Sequence, residues 1–366
     1  MRVRAAVLAE PTGPFTLEEI ELDAPRDGEV LVRVAGTGMC HTDMVTRLAP
    51  GVSWGLPMVF GHEGSGVVEA VGRGVSSLRP GDRVVLTFDS CGTCPRCRIG
   101  EPAYCHLFAP LNNGGTRTDG TPGAHRLDGD AVRSRWFGQS SFATYALATE
   151  RNAVKIDDVD LPLEMLGPLG CGVQTGAGSI LVAMGVRPGE TVAIFGAGAV
   201  GLSAVMAARL AGATTIIAVD LHAHRRDLAM ELGATHTLDG ADPDVAARIR
   251  DLTGGGVLYS FETTGAPAVI RAAVASLQIR GFCGLVGIGR EDIVLSPQAL
   301  GGGRSLSYLL EGNVEPHIFI PRLLELWRQG RFPFDRLIRT YPLAQINEAE
   351  ADSAAGRTVK PVLLPG

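Results

Sequence analysis

The segment TVAIFGAGAVGLSAVMAARLAGATTIIAVD, residues 191–220, decides the fold of this chain. It opens with TVAIF, an apolar run typical of a buried strand, and continues with GLSAVMAARLAG, whose apolar spacing is helical. A second apolar run, TTIIAV, ends at Asp220. Gly196, Gly198 and Gly201 form a G-x-G-x-x-G pattern between the first strand and the helix. We therefore predict a strand–turn–helix–strand unit within a parallel sheet.

This unit has the features of a dinucleotide site. Gly196 permits the tight turn, Gly198 lets the backbone approach a pyrophosphate, and Gly201 lets the helix pack closely on the strand. The helix N-terminus offers N–H groups and partial positive charge to the phosphates. Asp220 would accept hydrogen bonds from the ribose 2′-hydroxyl and repel a 2′-phosphate, which favours NAD over NADP. The alternative is a glycine-rich turn that binds no ligand.

The composition is that of an ordinary soluble protein with two domains. The chain has 366 residues, of which 45% are hydrophobic and 20% charged, with a net charge of -6. This charge argues against nucleic acid or an anionic membrane as a partner. The apolar run near the N-terminus stops at Glu10 without a cleavage site, so we predict no signal peptide and a cytoplasmic protein.

Two regions differ in their patterns on either side of residue 170. The first 165 residues read mainly as strands, for example Val30, Val32 and Val34 on one strand face. Residues 108–139 are polar and glycine-rich, and we predict a long loop there. Strands and helices alternate from about residue 170 to 314. The rest is mixed, with a helix in IPRLLELWRQG and a final strand in KPVLLP.

Four of the seven cysteines lie in DSCGTCPRCRIGEPAYC, residues 89–105. Cys91, Cys94, Cys97 and Cys105 have the short spacing of a metal site, and four thiolates can close a tetrahedron around zinc. An iron–sulfur cluster is the main alternative, and a metal-free or disulfide-bonded cluster is another. A closed site of this kind has a structural role and leaves no position for substrate.

Three separate segments contain ligands for an open metal site. Cys40 lies in GMCHTD, His62 in GHEGSG and Cys171 in GPLGCGVQTG. Two cysteines and one histidine, with water in the fourth position, make a catalytic type of zinc site. The sequence alone does not bring the three together. Taken singly, Cys171 could be a small buried apolar residue and His62 a structural histidine.

The segment GHEGSGVVEAVGRGV fits G-H-E-x2-G-x5-G-x2-V, and this chain thereby resembles the zinc-containing alcohol dehydrogenases of the medium-chain superfamily. The order of the segments described above resembles that family as well. The resemblance implies an α/β protein with two domains. A GroES-like, β-rich catalytic domain would comprise residues 1–172 and 315–366, with a structural zinc lobe at 91–105, and a Rossmann domain would comprise residues 173–314.

The resemblance also implies roles for individual residues. Cys40, His62 and Cys171 would bind a catalytic zinc, and the four-cysteine cluster a structural zinc, giving two zinc ions per chain. Glu63 would be an acid that can approach the metal, and Asp43 would orient the ligand histidine. The cofactor NAD would contact a set of residues from both domains: His41, Thr175, Gly196, Gly198, Ala199, Val200, Gly201, Asp220, Arg225 and Lys360.

The expected reaction is hydride transfer from a zinc-bound alcohol to NAD. Thr42 resembles the first hydroxyl of the family's proton relay, but Val45 stands where many members have the next histidine. His41 is then the nearest group for proton exit. Its alternative role is a contact with the pyrophosphate alone.

The Cys-His-Thr-Asp segment and the C-terminal region look most like the aryl- or benzyl-alcohol dehydrogenase branch. We therefore predict a primary aromatic, allylic or terpenoid alcohol as substrate, with Trp54, Phe88 and Trp136 in the pocket. The alternative is that some of these rings belong to the core. A thiol-adduct formaldehyde dehydrogenase, a general aliphatic alcohol dehydrogenase and a non-catalytic scaffold are the alternatives. We expect a homodimer formed near GRSLSYLLEG, with a tetramer as the alternative.

Overall fold

The computed structural model describes residues 1–47, 55–157 and 160–366. The chain divides into two compact units. The first comprises Met1–Cys171, Glu315–Glu325 and Asp335–Gly366, and the second comprises Gly172–Val314 and Leu326–Phe334. The main difference from the predicted boundaries is Leu326–Phe334, which belongs with the second unit because Gly330, Arg331 and Pro333 line one cavity together with Leu210 and Leu232.

The first unit begins with a series of short strands. They are β1 (Arg2–Leu8), β2 (Thr16–Leu22), β3 (Glu29–Gly38), β4 (Met58–Val59), β5 (Glu63–Val71), β6 (Arg83–Leu86), β7 (Gly123–Arg126), β8 (Ala131–Arg133), β9 (Tyr145–Thr149) and β10 (Ala153–Lys155). Its helices in this region are α1 (His41–Arg47), α2 (Pro95–Arg98) and α3 (Phe108–Asn112). On β3, Val30, Val32 and Val34 are buried as predicted, while Arg33 is exposed and Leu31 is also buried.

The second unit is a parallel α/β sheet, which confirms the predicted fold class. Its strands are β11 (Thr191–Phe195), β12 (Thr215–Asp220), β13 (His236–Asp239), β14 (Val257–Glu262), β15 (Leu277–Leu285) and β16 (Ser305–Tyr308), in the sheet order β13-β12-β11-β14-β15-β16. Its helices are α4 (Gly172–Gly178), α5 (Ala199–Leu210), α6 (Ala223–Leu232), α7 (Val245–Thr253) and α8 (Pro267–Ala275). All neighbouring strands pair in parallel. The continuous apolar runs of β11 and β12 are therefore covered on both faces.

The C-terminal region adds two strands to the first unit. After α9 (Pro316–Arg328), the chain forms β17 (Ile338–Pro342), α10 (Ile346–Ala354) and β18 (Lys360–Leu364). β18 pairs in parallel with β17 and antiparallel with β3, where Leu363 lies opposite Thr37. The resulting sheet has the order β10-β6-β5-β3-β18-β17, with β9 also paired to β3. The last residues of the described chain thus lie beside the strand that leads to Cys40.

A closed barrel of β1, β2, β7, β8 and β4 corrects one prediction. Residues 108–139, predicted as a long loop, contain α3, β7 and β8. The two strands are short, and Ala124 and Val132 are their fully buried apolar side chains. Strands this short do not show the alternation of apolar and polar residues by which a strand is recognised in a sequence. They form because they pair with other strands of the barrel.

The long apolar stretch 193–219 forms most of β11, α5 and β12, as predicted. Within the described ranges, no single helix is long and apolar enough to cross a membrane. One bent pair, Leu163–Gly170 with Gly172–Ala183, meets the criteria of length and composition when taken together.

Candidate active site

The structure brings the three dispersed ligands together. Single ligand atoms of Cys40, His62, Glu63 and Cys171 all lie within 4.8 Å of one another. Cys40 follows β3 and His62 precedes β5, and these strands are antiparallel neighbours with Gly38 opposite Glu63. Strand pairing therefore places two ligands side by side that are 22 positions apart in sequence.

His62 presents one ring nitrogen to this cluster. Its Nδ1 lies 2.7 Å from Asp43 Oδ1, and both side chains are fully buried. Its Nε2 is also buried and has no hydrogen-bond partner among the residues that the structure describes. A buried polar atom without a partner lowers the free energy of unfolding, so this nitrogen is expected to bind a ligand. Two sulfurs and one imidazole nitrogen are the donor set of an open zinc site, and the residues fit this metal.

Charges within the cluster also fit a bound cation. A hydrogen bond from Cys171 is the largest influence on the pKa of the Cys40 thiol and holds it well below its usual value, although burial opposes this. Burial lowers the pKa of His62, but the charges of Asp43 and Cys40 outweigh it and raise that pKa well above its usual range. The surroundings of Cys40 therefore favour its thiolate, the form that binds a metal ion.

Lys360 lies beside Glu63. The resemblance predicts a contact with the cofactor pyrophosphate, which stays a prediction, and the structure pairs Lys360 Nζ with both carboxylate oxygens of Glu63, at 2.9 Å each. Nζ also donates to Met39 O at 3.1 Å, and the residue is only 3% exposed. Burial raises the pKa of Glu63 to about 7 against the effect of Lys360. A buried carboxylate needs a paired cation, which explains why the lysine lies here.

Trp136 also differs from its prediction as a pocket residue. It is 1% exposed, and its indole Nε1–H donates to Asp43 Oδ1 at 2.9 Å. The same oxygen accepts from Gly61 N at 3.3 Å, and Asp43 Oδ2 accepts from Cys40 N at 3.2 Å. A buried indole N–H requires an acceptor, and Asp43 provides it. Trp136 therefore lies behind the predicted metal ligands and contacts Asp43.

The other two aromatic residues predicted for the pocket are Phe88 and Trp54. Phe88 is 3% exposed and packs against Phe108 with ring centroids 5.8 Å apart, so it is part of a buried aromatic contact. Trp54 lies outside the described residues. Phe137, which was not predicted, stacks on the His62 ring at 4.5 Å with an interplanar angle of 25°. Its left-handed backbone, with φ of 49°, turns the ring onto the imidazole.

Thr42, His41 and Val45 all lie on α1, directly after Cys40. Thr42 Oγ1 is 3.7 Å from Cys40 Sγ, and His41 is exposed. The structure thus places the predicted relay hydroxyl beside a metal ligand and His41 at the surface. Their roles in proton transfer stay predictions.

The four cysteines of the 91–105 lobe converge as well. Their sulfur atoms lie within 4.8 Å of one another, and none of the chain's cysteines, all of which are described, forms a disulfide. Backbone N–H groups point to the sulfurs, for example from Cys94 to Cys91 Sγ at 3.3 Å and from Leu107 to Cys105 Sγ at 3.3 Å. Hydrogen bonds from Thr93 lower the pKa of Cys91 to about 5. Hydrogen-bond donors thus favour thiolates, the form that binds zinc, at Cys91 and Cys94, whereas burial raises the pKa of Cys97 to about 12 and also raises that of Cys105.

Each of the three glycines in the 196–201 turn has a different structural reason to be glycine. Gly196 has a φ of 95°, which favours glycine. A Cβ on Gly201 would lie 1.8 Å from Gly196 O, so α5 packs against the turn only with glycine there. A Cβ on Gly198 would meet no protein atom within 4 Å. Gly198 thus borders open space at the N-terminus of α5, where Ala199 and Val200 begin the helix.

Asp220 and Arg225 border a cavity of ≈ 500 Å³ within the second unit. Asp220 Oδ2 accepts from Ala197 N at 2.7 Å and Oδ1 from His222 N at 2.8 Å, so the acid also holds the glycine turn in place. The Nε of Arg225 is buried and, within the described part of the chain, has no hydrogen-bond partner. Thr175, on α4, lies within hydrogen-bonding distance of Glu311, at 3.3 Å. The cavity has the size and polarity to accept an adenosine.

The sequence reasoning missed Gln139. This fully buried side chain bonds to the backbone of His62, Gly64 and Thr87. It lies in a segment that was predicted as loop, and a single polar residue there carries no periodic signal.

Comparisons with known proteins give consistent results. Residues 26–158 match the family described as "Alcohol dehydrogenase GroES-like domain", and residues 199–321 match "Zinc-binding dehydrogenase". A geraniol dehydrogenase from Castellaniella defragrans is 48% identical over 99% of this chain and 97% of that protein.

Two solved structures are similar over the full length of both chains. An alcohol dehydrogenase zinc-binding domain protein from Burkholderia ambifaria is 50% identical, with a TM-score of 0.96. Benzyl alcohol dehydrogenase from Acinetobacter calcoaceticus is 42% identical, with a TM-score of 0.95. Both likenesses extend to the β-rich unit and to the parallel sheet.

Proposed function

This chain belongs to the zinc-binding alcohol dehydrogenase family, and we propose that it uses NAD to interconvert a primary terpenoid, allylic or aromatic alcohol and its aldehyde. It is an oxidoreductase with a GroES-like unit and a Rossmann unit. The observation that carries the proposal is the cluster of Cys40, His62 and Cys171, with the buried and unpartnered Nε2 of His62 facing it.

Two zinc ions per chain are part of the proposal. The four-cysteine lobe would hold one ion, and Cys40, His62 and Cys171 would hold the other. When bound at the second site, zinc supplies Lewis-acid chemistry that lowers the pKa of a bound alcohol. Asp43 Oδ1 lies 2.7 Å from His62 Nδ1 and would accept its proton, which would leave Nε2 available as a ligand. Glu63, neutralised by Lys360, lies close enough to approach the same site.

The chain's own residues would carry the alcohol proton away. Thr42 lies beside Cys40 and would accept that proton first. Val45 cannot continue a relay because it has no titratable group. His41 is exposed on the same helix and would pass the proton to water. The competing role for His41 is a contact with the cofactor. Retention of the pH–rate profile in His41→Gln, with only weaker NAD binding, would exclude the relay role.

Support for NAD comes from the second unit. Open space beside Gly198 leaves room for a pyrophosphate at the start of α5. The carboxylate of Asp220 borders the cavity of ≈ 500 Å³ and would repel the 2′-phosphate of NADP. Arg225 borders the same cavity and works against this preference, so direct comparison of the two cofactors is needed.

The substrate class rests on the similarity to the geraniol and benzyl alcohol dehydrogenases. The alternatives are a thiol adduct of formaldehyde and simple aliphatic alcohols. A panel of geraniol, benzyl alcohol, ethanol and a hydroxymethyl thiol adduct, each with NAD and NADP, tests the proposal. We expect the highest kcat/KM for the first two with NAD. Preferred turnover of the adduct or of ethanol would overturn the substrate class, and absence of all turnover would favour the non-catalytic scaffold.

We propose a cytoplasmic homodimer formed along β16, with a tetramer as the alternative. β16 is the edge strand of the six-stranded sheet. Ile279 and Val294, in the segments near this edge, are 69% and 71% exposed, and an edge strand with exposed apolar neighbours favours pairing with another copy. Light scattering of wild type and of Val294→Asp tests this, since the variant should shift the mass toward that of a monomer.

A further inference from the structure

Gln139 makes three hydrogen bonds at the centre of the first unit. Its Nε2 donates to His62 O at 2.9 Å and to Thr87 O at 3.1 Å, while its Oε1 accepts from Gly64 N at 3.0 Å. Two carbonyls and one N–H are compatible with only one orientation of the amide. Both amide protons are used, and the side chain has no solvent exposure. Gln139 therefore joins the backbone around His62 to the residue that follows β6.

Thr87 extends this connection to the loop that carries Cys171. Its Oγ1–H donates to Gly170 O at 2.6 Å, and Gly170 directly precedes the cysteine. The backbones are close at this point, since a Cβ on Gly170 would lie 1.9 Å from Leu86 O. The chain of hydrogen bonds from His62 to the residue before Cys171 thus consists of one amide side chain and one hydroxyl.

A second contact joins the same two segments. A Cβ on Gly167 would lie 2.0 Å from Glu63 O, so the loop before Cys171 rests directly on the backbone after His62. The Gln139–Thr87 path supplies a further point of attachment, which reaches the residue directly before Cys171.

The other ligand pair is held separately. Asp43 accepts from Cys40 N and lies against His62 Nδ1, and so joins the first and second ligands. Gln139 and Thr87 join the second ligand to the third. The two networks together span all three sulfur and nitrogen donors.

We propose that Gln139 is a positioning residue that sets the separation and angle between His62 and Cys171. The inference rests on the proposed role of these residues as zinc ligands. Partners of metal ligands commonly change metal affinity by about 10–100-fold when removed. Gln139→Met keeps the length of the side chain but removes both donors and the acceptor, and Thr87→Val removes only the hydroxyl that reaches the Cys171 loop.

Asn112 offers a matched control. It is a fully buried amide in the same unit, and it also makes three bonds, accepting from Asp89 N at 2.8 Å and donating to Asp89 O and Phe108 O. Among the described residues, these bonds reach none of the three ligand segments. Asn112→Leu therefore removes the same number of hydrogen bonds, two of them buried, without touching the proposed connection.

The test replaces zinc by Co²⁺ in the full-length protein, because the absorption of thiolate-bound cobalt depends on its coordination geometry. The spectrum of Cys40→Ser, which keeps the four-cysteine site, is subtracted. We expect Gln139→Met and Thr87→Val to shift the remaining bands and to release this metal to a chelator about ten-fold faster than wild type. Asn112→Leu should lower the unfolding temperature and leave the bands of wild type.

Bands and release rates in Gln139→Met equal to those of Asn112→Leu would overturn the inference, since only stability would then have changed. If Gln139→Met does not fold, Thr87→Val decides: wild-type bands in that variant would overturn it. If wild type itself shows no cobalt bands after subtraction, the proposed catalytic metal site fails, and the inference fails with it. The two failures are thereby distinguished.

Discussion

Trp136 Nε1 lies 2.9 Å from Asp43 Oδ1, the same oxygen that lies 2.7 Å from His62 Nδ1. An indole nitrogen only donates, and an ionised carboxylate only accepts. This oxygen therefore accepts the indole proton as well as the proton on His62 Nδ1. The hydrogen bond from the indole thus fixes the position of the carboxylate that contacts His62.

Trp136→Phe removes this donor and keeps an aromatic ring in the buried space. We expect a loss of about 2 kcal/mol in the free energy of unfolding, because a buried carboxylate loses one of its donors. Urea unfolding of the zinc-loaded protein measures the change. Trp327→Phe is the control, since Trp327 lies on α9, outside the Asp43 network. Equal unfolding free energies in the two variants would contradict the prediction.

Gly198 and Gly201 should respond differently to alanine. A Cβ at 201 overlaps Gly196 O, so Gly201→Ala should lower the unfolding temperature, as measured by calorimetry. A Cβ at 198 meets no protein atom, so Gly198→Ala should fold normally yet bind NAD at least about ten-fold more weakly. Fluorescence titration with NADH measures the affinity. Unchanged affinity in Gly198→Ala would argue against a pyrophosphate at this turn.

Asp220→Asn should change both stability and cofactor preference. The amide keeps one oxygen, so it can accept from only one of Ala197 N and His222 N, and we expect a loss of about 1 kcal/mol. Without the negative charge, the ratio of kcat/KM for NADP to that for NAD should rise. Steady-state kinetics with both cofactors measure the ratio. An unchanged ratio would mean that Asp220 serves the turn alone.

Glu29 should make stability dependent on pH. It bonds to the buried Arg117 at 2.8 Å. Burial is the largest influence and raises its pKa, but Arg117 and Arg135 outweigh it and lower the pKa below 4.5. The stabilisation is therefore complete above about pH 4.5 and disappears as the pH falls through the lower folded value. Glu29→Gln should cost about 2 kcal/mol at pH 7, with a smaller difference from wild type in acid. Urea unfolding across this range measures it, and a constant difference would contradict the assignment.

Single substitutions should remove one of the two proposed zinc ions and leave the other in place. Cys94→Ser should lose one zinc per chain and lower the unfolding temperature, because the lobe depends on its metal. Cys40→Ser should lose the other zinc and all turnover with a smaller change in stability. Elemental analysis gives the zinc content of each variant. Wild-type zinc content in Cys40→Ser would exclude Cys40 as a ligand.

The sequence predicts those features that repeat locally. The glycines at 196, 198 and 201 and the acid at 220 lie within one strand–helix–strand unit, and their geometry follows from that unit. The four-cysteine lobe is similarly local. Cys40, His62 and Cys171 are too far apart for any spacing rule, and a family resemblance was needed to group them.

Side-chain direction was the least predictable feature. Trp136 and Phe88 are aromatic residues that could line a pocket or lie in the interior, and the structure has them buried. Lys360 was grouped with the cofactor by resemblance, and its contact with Glu63 gave no signal because the two residues are 297 positions apart in sequence. The role of Gln139 could not be predicted because the partners of its hydrogen bonds are distant in sequence and come together only in the folded protein. In each case the missing information is a contact between distant segments.

The contact between Lys360 and Glu63 also constrains how the protein is made. β18 joins β3 only after residue 364 has been synthesised, and Lys360 then reaches the carboxylate beside His62. A nascent chain on the ribosome can form its early strands long before this. It cannot complete the ligand pocket, however, until this late strand has left the exit tunnel. The Lys360–Glu63 pair beside His62 therefore forms only after the earlier strands of the first unit have been synthesised.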